Sequence, residues 1–288
     1  MESRSVATRA FMLLFAVAMT AALVVSMPVC AHAGQAGFGN LVPSGQDCDD
    51  RKDAWDFFAW LPDGIGRDAI AVLDSSPVAQ ATHRGDVNDA TTIQNMRESV
   101  KWMKRCNEIR QSRGLEPLKV NFTLLAIAMS DCNWSLDNIK HAHVFNVGEI
   151  LSWGNSDPFV KWYDNEKKSH EAQDGKETGH YLNIIRSDYE YTGFAMATGG
   201  RYKVVYGQTF GADWYGAGEI LRDHAREDGS SIVLTSDTER GTVSVEEYER
   251  ALDDFVSGRQ PGIVPAAAKT KMQRLYNPNS GEHFYTAS

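Results

Sequence analysis

Two imidazoles and two carboxylates stand in apolar or glycine-marked stretches of this 288-residue chain: His141, Glu149 within Val147-Gly148-Glu149-Ile150, Glu166 on an aromatic helical stripe, and His180 directly after Gly179. Such a set suits a divalent-metal site or acid–base chemistry, because histidine and carboxylate side chains both ligate metals and carry protons. Glu166 says the most. It follows Tyr163, Trp162 and Phe159 by three, four and seven residues, which places its carboxylate on the buried face of the helix. Burying a carboxylate there without a partner costs several kcal/mol, so a cation, a histidine or hydrogen-bond donors must lie nearby, and His180 or a metal would serve. Asn165, turned off that stripe, is the poorer candidate. Spacing alone favours reading His180 as a strand-edge histidine satisfied by a backbone carbonyl over a ligand role.

Other chemistries find less support. There is no G-x-S-x-G elbow, and Ser152 and Ser156 have no base positioned by spacing. His170-Glu171 begins like H-E-x-x-H, but the fifth residue is Asp174, so the two-histidine face of a zinc protease is missing. Asp47, Asp49, Asp50 and Asp53 lack the central glycine and closing glutamate of a calcium loop. No C-x-x-C pair exists, which removes thioredoxin-like redox chemistry and zinc knuckles. Asn121-Phe122-Thr123 and Asn133-Trp134-Ser135 match the glycosylation acceptor but fall on expected helices, and neither is expected to be modified. Trp153, Trp214 and Tyr215 read as packing residues.

The elements that must position these groups follow from composition and periodicity. With 42% hydrophobic and 23% charged residues and 9 prolines, the chain is globular, and a net charge of -9 gives it no electrostatic reason to bind nucleic acid. Arg4 and Arg9 precede an apolar run from 11 to 25, interrupted at Thr20 and followed by Ala31-His32-Ala33, the pattern of a secretory signal peptide over 1–33. The run is too short for a membrane anchor, so no transmembrane span is expected after cleavage. Export leaves Cys48, Cys106 and Cys132 in an oxidising compartment; the expected pair is Cys106 with Cys132, joining neighbouring helices, and three buried thiols is the alternative. Ile93, Met96, Val100, Met103 and Ile109 mark a helix over 92–113. A second helix starts at the cap Asn121, with Phe122, Leu125, Met129 and Cys132 inward, and ends near 135. Asp157-Pro158 opens a third that runs through Glu166. Strands are expected at 181–185, 191–197 and 201–210, the last two joined at Gly199-Gly200, and a short helix at 244–255. Helices first and antiparallel strands second indicate an α+β fold, with a three-stranded antiparallel meander and flanking helices.

Four stretches carry a family resemblance. Gly179-His180-Tyr181-Leu182-Asn183-Ile184-Ile185 resembles the G-H-Y-T-Q signature of the CAP superfamily, the cysteine-rich secretory, antigen 5 and pathogenesis-related 1 proteins. In the same order as in the family come Cys106-Asn107-Glu108-Ile109-Arg110, Gly148-Glu149 at the G-E-N position, and Asp157-Pro158-Phe159-Val160-Lys161-Trp162-Tyr163. The resemblance implies an αβα sandwich over 91–211, with a cleft holding His141, His180, Glu149 and Glu166; in some relatives the histidines bind a divalent metal such as Zn²⁺. His143 competes with His141, but the eight residues from His141 to Glu149 fit the family spacing better. Three positions depart from the pattern. Ile150 stands where the family has asparagine, Glu166 lies four residues after Trp162 where many relatives place their glutamate three after, and Val204-Val205-Tyr206-Gly207-Gln208 lacks the family's strand cysteine. Around this domain lie an N-terminal extension at 34–90, a C-terminal extension at 212–260, a linker at 261–271, and residues 272–288, which resemble part of one tyrosine-rich repeat of secreted Gram-positive proteins, implying a truncated copy.

Two functions follow. One is a secreted, non-enzymatic module, extracellular or wall-associated, whose cleft or surface binds an ion, a protein, a lipid or a wall component. The other is a metal-assisted, peptidase-like hydrolase, in which His141 and His180 hold Zn²⁺ and Glu149 or Glu166 accepts a proton from bound water. Catalytic zinc sites supply three protein ligands, so one glutamate would have to coordinate directly.

Overall fold

The computed structural model describes residues 52–212 and 240–265, together with the backbone of 272–276 and 283–287. The expected signal peptide, Cys48, most of the acidic patch, Trp214 and Tyr215 lie outside the described residues.

Seven helices and seven strands are described: α1 (Ala54–Trp60), α2 (Arg67–Ser75), α3 (Ile93–Ser112), β1 (Lys119–Asn121), α4 (Phe122–Ser135), β2 (Gly148–Trp153), α5 (Glu166–Ala172), α6 (Gly179–Ile184), β3 (Tyr189–Gly199), β4 (Lys203–Ala212), β5 (Thr242–Val243), α7 (Val245–Val256), β6 (Met272–Tyr276) and β7 (His283–Ala287). The first five strands form one sheet in the order β2-β4-β3-β1-β5. β4 is antiparallel to both β2 and β3, whereas the short β1 runs parallel to β3. β6 and β7 form a separate antiparallel pair. The fold is α+β, with a helix layer on each face of the sheet.

Local chemistry explains where the long helices begin. The Thr92 side chain accepts the Asn95 N–H ahead of α3, Asn121 accepts two N–H groups ahead of α4, and Ser244 forms a reciprocal capping box with Glu247 ahead of α7. α4 departs from the expected one-sided stripe. It is buried almost all round because the sheet covers one side and α2 the other. The aromatic residues of α1 join the same core: Phe57 meets Phe122, Tyr248 and Phe255 edge-on.

The sheet corrects three expectations. Residues 181–185 are not a strand: α6 spans Gly179–Ile184, with Tyr181 and Ile184 buried three residues apart and Leu182 exposed between them. The few apolar residues of so short a stretch satisfy either period, and here the backbone hydrogen bonds of α6 decide it. The antiparallel trio is completed by β2 instead, while Gly199-Gly200 does turn β3 into β4. Cys106 and Cys132 are both free buried thiols, not a disulfide. A side chain at Gly207 would meet Cys132 Sγ at 2.8 Å, whereas Cys106 hydrogen-bonds the next residue of β4, Gln208. Successive strand residues point to opposite faces, so the sheet itself separates the two sulfurs.

Glycine is required where α4 crosses the sheet. A Cβ on Gly193 would lie 2.3 Å from the Leu124 and Leu125 backbone, so β3 can approach α4 this closely only without a side chain. Among the described residues, no helix is long and apolar enough to cross a membrane.

Candidate functional site

The four residues singled out form two histidine–glutamate pairs. His141 Nδ1 lies 2.6 Å from Glu149 Oε2, and His180 Nδ1 hydrogen-bonds Glu166 Oε1. A carboxylate acceptor requires the hydrogen on Nδ1, so each neutral ring carries its lone pair on Nε2. The glutamates therefore orient the imidazoles.

Each pair has a structural cause. Glu149 pairs with Thr209 across β2 and β4, and the Thr209 hydroxyl donates to the Leu124 carbonyl, so Glu149 is turned toward α4. Glu166 opens α5 immediately after Val160–Asn165, which is wound as a π-helix. Bonds from i to i+5 accommodate one residue more than an α-turn. The four-residue spacing from Trp162 to Glu166 is taken up in this widened turn, and Glu166 still reaches His180. Its second oxygen accepts the Tyr181 N–H at 3.0 Å, so the partners demanded by burial are both present. Trp162 supports the pair from below: its indole lies over the His180 ring with planes 18° apart, and its Nε1–H donates to the Leu151 carbonyl at 3.0 Å.

The two pairs meet the edge strand β2 from opposite sides. Glu149 faces α4, whereas Trp162 beneath His180 packs on Phe194, which is opposite in register to Gln208 on the α3 face. A cavity of about 290 Å³ opens at the first pair, lined by Asp131, His141, His143, Val144, Phe145, Val147, Gly148, Glu149 and Asn183. His180 and Glu166 are not in its lining. The bridge between the halves is Asn183, one turn after His180 on α6, whose side-chain oxygen would lie 2.9 Å from a Cβ at Gly148. Here too glycine is required, since the same Cβ would strike the Tyr189 hydroxyl at 2.4 Å.

His143, the competitor of His141, enters the same cavity with its ring centroid 5.6 Å from that of His141, on backbone with φ of 56°. Non-glycine residues seldom adopt this region, although histidine does so more readily than most. Asp131 was not among the expected site residues. Its signal in the sequence is that it is the one charged residue of α4. It is 3% exposed, and burial, followed by the charge of Glu149, pushes its carboxyl well above the usual range. Burial likewise raises the thiol of its neighbour Cys132, with Glu149 and Asp131 adding to the effect.

A catalytic zinc would need a third protein ligand. Glu166 offers none, because His180 and the Tyr181 N–H occupy both its oxygens. Glu149 offers none either: Oε2 holds His141, and Oε1 is buried on the side of Asp131. Among the described residues no three His, Cys, Asp or Glu side chains converge on one point. Two imidazoles backed by carboxylates resemble the outer shell of a metal site, but the residues present do not fit a three-ligand catalytic centre.

The model of the CAP, or cysteine-rich secretory protein, family matches residues 103–210, a stretch that contains all four members of the two pairs. No curated protein matches the chain. Among solved structures it is similar to an outer surface protein from Borrelia burgdorferi, at 18% identity over 40% of this chain and 92% of that one, with a TM-score of 0.33. It is also similar to a cysteine-rich secretory protein from Staphylococcus aureus, at 18% identity over 41% of this chain and 38% of that one, with a TM-score of 0.31. What the comparisons show is a CAP domain over residues 103–210, matched by the model of the cysteine-rich secretory protein family.

Proposed function

We propose that the chain is an exported binding module rather than a hydrolase, with the His141 cavity as its ligand site. The observation that carries this reading is that the glutamate oxygens are already engaged, by His141, by His180 and the Tyr181 N–H, or by burial against Asp131. Both Glu166 oxygens and Glu149 Oε2 already accept hydrogen bonds, and Glu149 Oε1 is buried away from an attacking water. The cavity lining contains no serine, threonine or cysteine to act as a nucleophile. What it offers is recognition: His141 Nε2 as an acceptor, the His143 imidazole and the Asn183 amide, against a wall of Val144, Phe145 and Val147. A small polar molecule, or a polar group of a larger extracellular partner, fits that chemistry. Export is supported by the basic, apolar and Ala-x-Ala segments at the start of the chain.

The test is a calorimetric Zn²⁺ titration of the full chain and of H141A/H180A, with circular dichroism to establish that both are folded. Binding weaker than about 1 μM, equivalent to about 8 kcal/mol, is expected of the parent. Tighter one-to-one binding that disappears in the folded double variant would overturn the reading and restore the metal-dependent hydrolase.

A further inference from the structure

At the end of β2 opposite the His141 cavity, the sheet finishes in a second surface. There Gly199 of β3 pairs with Lys203 of β4, which leaves Gly200, Arg201 and Tyr202 as the tip of the hairpin. Gly199 and Gly200 both take positive φ, so the chain reverses within three residues and presents Arg201 and Tyr202 outward. Three other segments close around this tip. A Cβ on Gly154, just past β2, would meet the Tyr202 ring at 3.4 Å, and one on Gly200 would lie 2.9 Å from the Leu136 carbonyl oxygen, just past α4. Trp153 Nε1 donates to the Ser135 carbonyl, which ties the end of β2 to the end of α4. On the remaining side, Asn88 accepts both the backbone N–H and the hydroxyl of Thr198.

These segments expose side chains that a protein in water ordinarily covers. Val87 is 80% exposed and Ile139 50%, and with Tyr202 they make three of the six large apolar side chains that stand in solvent among the described residues. Trp134, Leu136 and Trp153 lie half-buried beside them. Cations frame the group: Lys140 Nζ sits 5.7 Å from the Trp134 ring centroid, the Arg201 guanidinium 5.7 Å from that of Tyr202, and Lys203 is exposed at the foot of the hairpin. The whole chain carries a charge of -9, yet on segments 86–88, 134–140, 153–154 and 198–203 only Asp86 and Asp137 oppose these three cations.

We infer that this end of the sheet docks on an anionic lipid bilayer, with Val87, Ile139 and Tyr202 entering the headgroup layer and Lys140, Arg201 and Lys203 meeting lipid phosphates. Aliphatic side chains, tyrosine or tryptophan, and lysine or arginine together are what the boundary between hydrocarbon and water selects, because each has an apolar body and the last two keep their charge at the phosphates. The centre of a protein–protein contact is depleted in lysine, and a sugar stacks on aromatic faces and gains little from Val87 or Ile139. The exposed residues stand on loop ends around one hairpin tip, so a broad surface reaches them together. None of them lines the His141 cavity, so docking leaves that cavity open and does not depend on the function proposed for it.

The experiment is hydrogen–deuterium exchange of the full-length chain alone, with vesicles of phosphatidylcholine, and with vesicles that also contain about one third phosphatidylglycerol. Anionic vesicles should slow exchange about threefold or more in stretches 83–90, 134–141 and 196–205, and the effect should fade in about 1 M salt, where the screening length falls to about 3 Å. I139S/Y202S, which removes apolar anchors, and K140E/R201E, which reverses two charges, should both lose the slowing. V160S/L182S, which removes two exposed apolar side chains elsewhere, should keep it, with circular dichroism to establish that each variant is folded. Unchanged exchange in all three stretches on anionic vesicles would overturn the inference, including when the apolar run at 11–25 carries the chain to the lipid. Equal slowing on phosphatidylcholine alone, or slowing that persists in folded I139S/Y202S, would overturn it as well. So would slowing by peptidoglycan and not by vesicles, which would assign the surface to wall sugar, or slowing by raised protein concentration alone, which would make it a contact between copies. If neither variant folds, the wild-type comparison between the two vesicle types decides.

Discussion

Glu166 binds His180 fourteen residues away through one carboxylate oxygen, and holds the Tyr181 backbone N–H at 3.0 Å through the other. One side chain thus anchors the start of α6 to the start of α5, and the imidazole between them lies near-parallel to the Trp162 ring, with centroids 6.2 Å apart. The rotamer of Glu166, and with it the placing of His180, depends on how the preceding turn is wound.

That dependence predicts the outcome of a deletion. Removing Asp164 from the π-turn leaves the glutamate three residues after Trp162, the spacing common in the family, and an ordinary α-turn should then suffice. The deletion variant should fold, lose no more than about 1 kcal/mol in urea unfolding, and keep the Nδ1–H signal of His180 in ¹⁵N spectra. Loss of that signal in a folded variant would show that the π-turn does not compensate for the extra residue.

Arg110 predicts a larger cost. Although charged, it is 0% exposed, and its guanidinium donates to the carbonyls of Glu116, Ile184, Arg186 and Tyr189, tying α3 to the segment after α6. Removing the side chain strands several buried carbonyls, so Arg110→Ala should cost about 3 kcal/mol or more in urea unfolding. Arg110→Lys should recover little of this, because a single ammonium cannot span carbonyls that the planar fork reaches together. A lysine variant as stable as the wild type would refute this account of the staple.

Asp131 predicts how stability changes with pH. Its folded-state pKa is raised, so between its unfolded value near 4 and its higher folded value the native state holds a proton that the unfolded chain has released. Stability from this group is therefore fully present below the unfolded pKa and is lost as pH rises toward the folded one. Relative to D131N, the wild type should lose up to about 1.4 kcal/mol per pH unit in that interval, measured by urea unfolding at a series of pH values. Parallel profiles for the two proteins would rule out a proton bound at Asp131.

Much of the frame could be read directly from residue order. The cap residues Thr92, Asn121 and Ser244 start helices because a short side-chain acceptor satisfies N–H groups that no preceding turn can reach. Gly199 and Gly200, both at positive φ, turn β3 back as β4. The need of Glu166 for a buried partner also followed from periodicity, since a carboxylate on an apolar stripe must be met by a donor. In the 179–185 run the same reasoning misled, because its apolar residues fit either period and the choice between strand and helix lay with its backbone bonding and its neighbours.

The order of amino acids by itself determined the caps, the hairpin, the main helices and the chemical identity of His141, Glu149, Glu166 and His180, because each depends on neighbours within a few residues along the chain. Only the tertiary structure decided which groups meet. It put Cys106 and Cys132 on opposite faces of β4, brought Asp131 on α4 against Glu149 on β2, and divided the four site residues into pairs on either side of an edge strand. Those relations depend on strand register and on which face of the sheet each helix covers. Both are settled when the whole core packs, and neither is encoded in any local stretch of sequence.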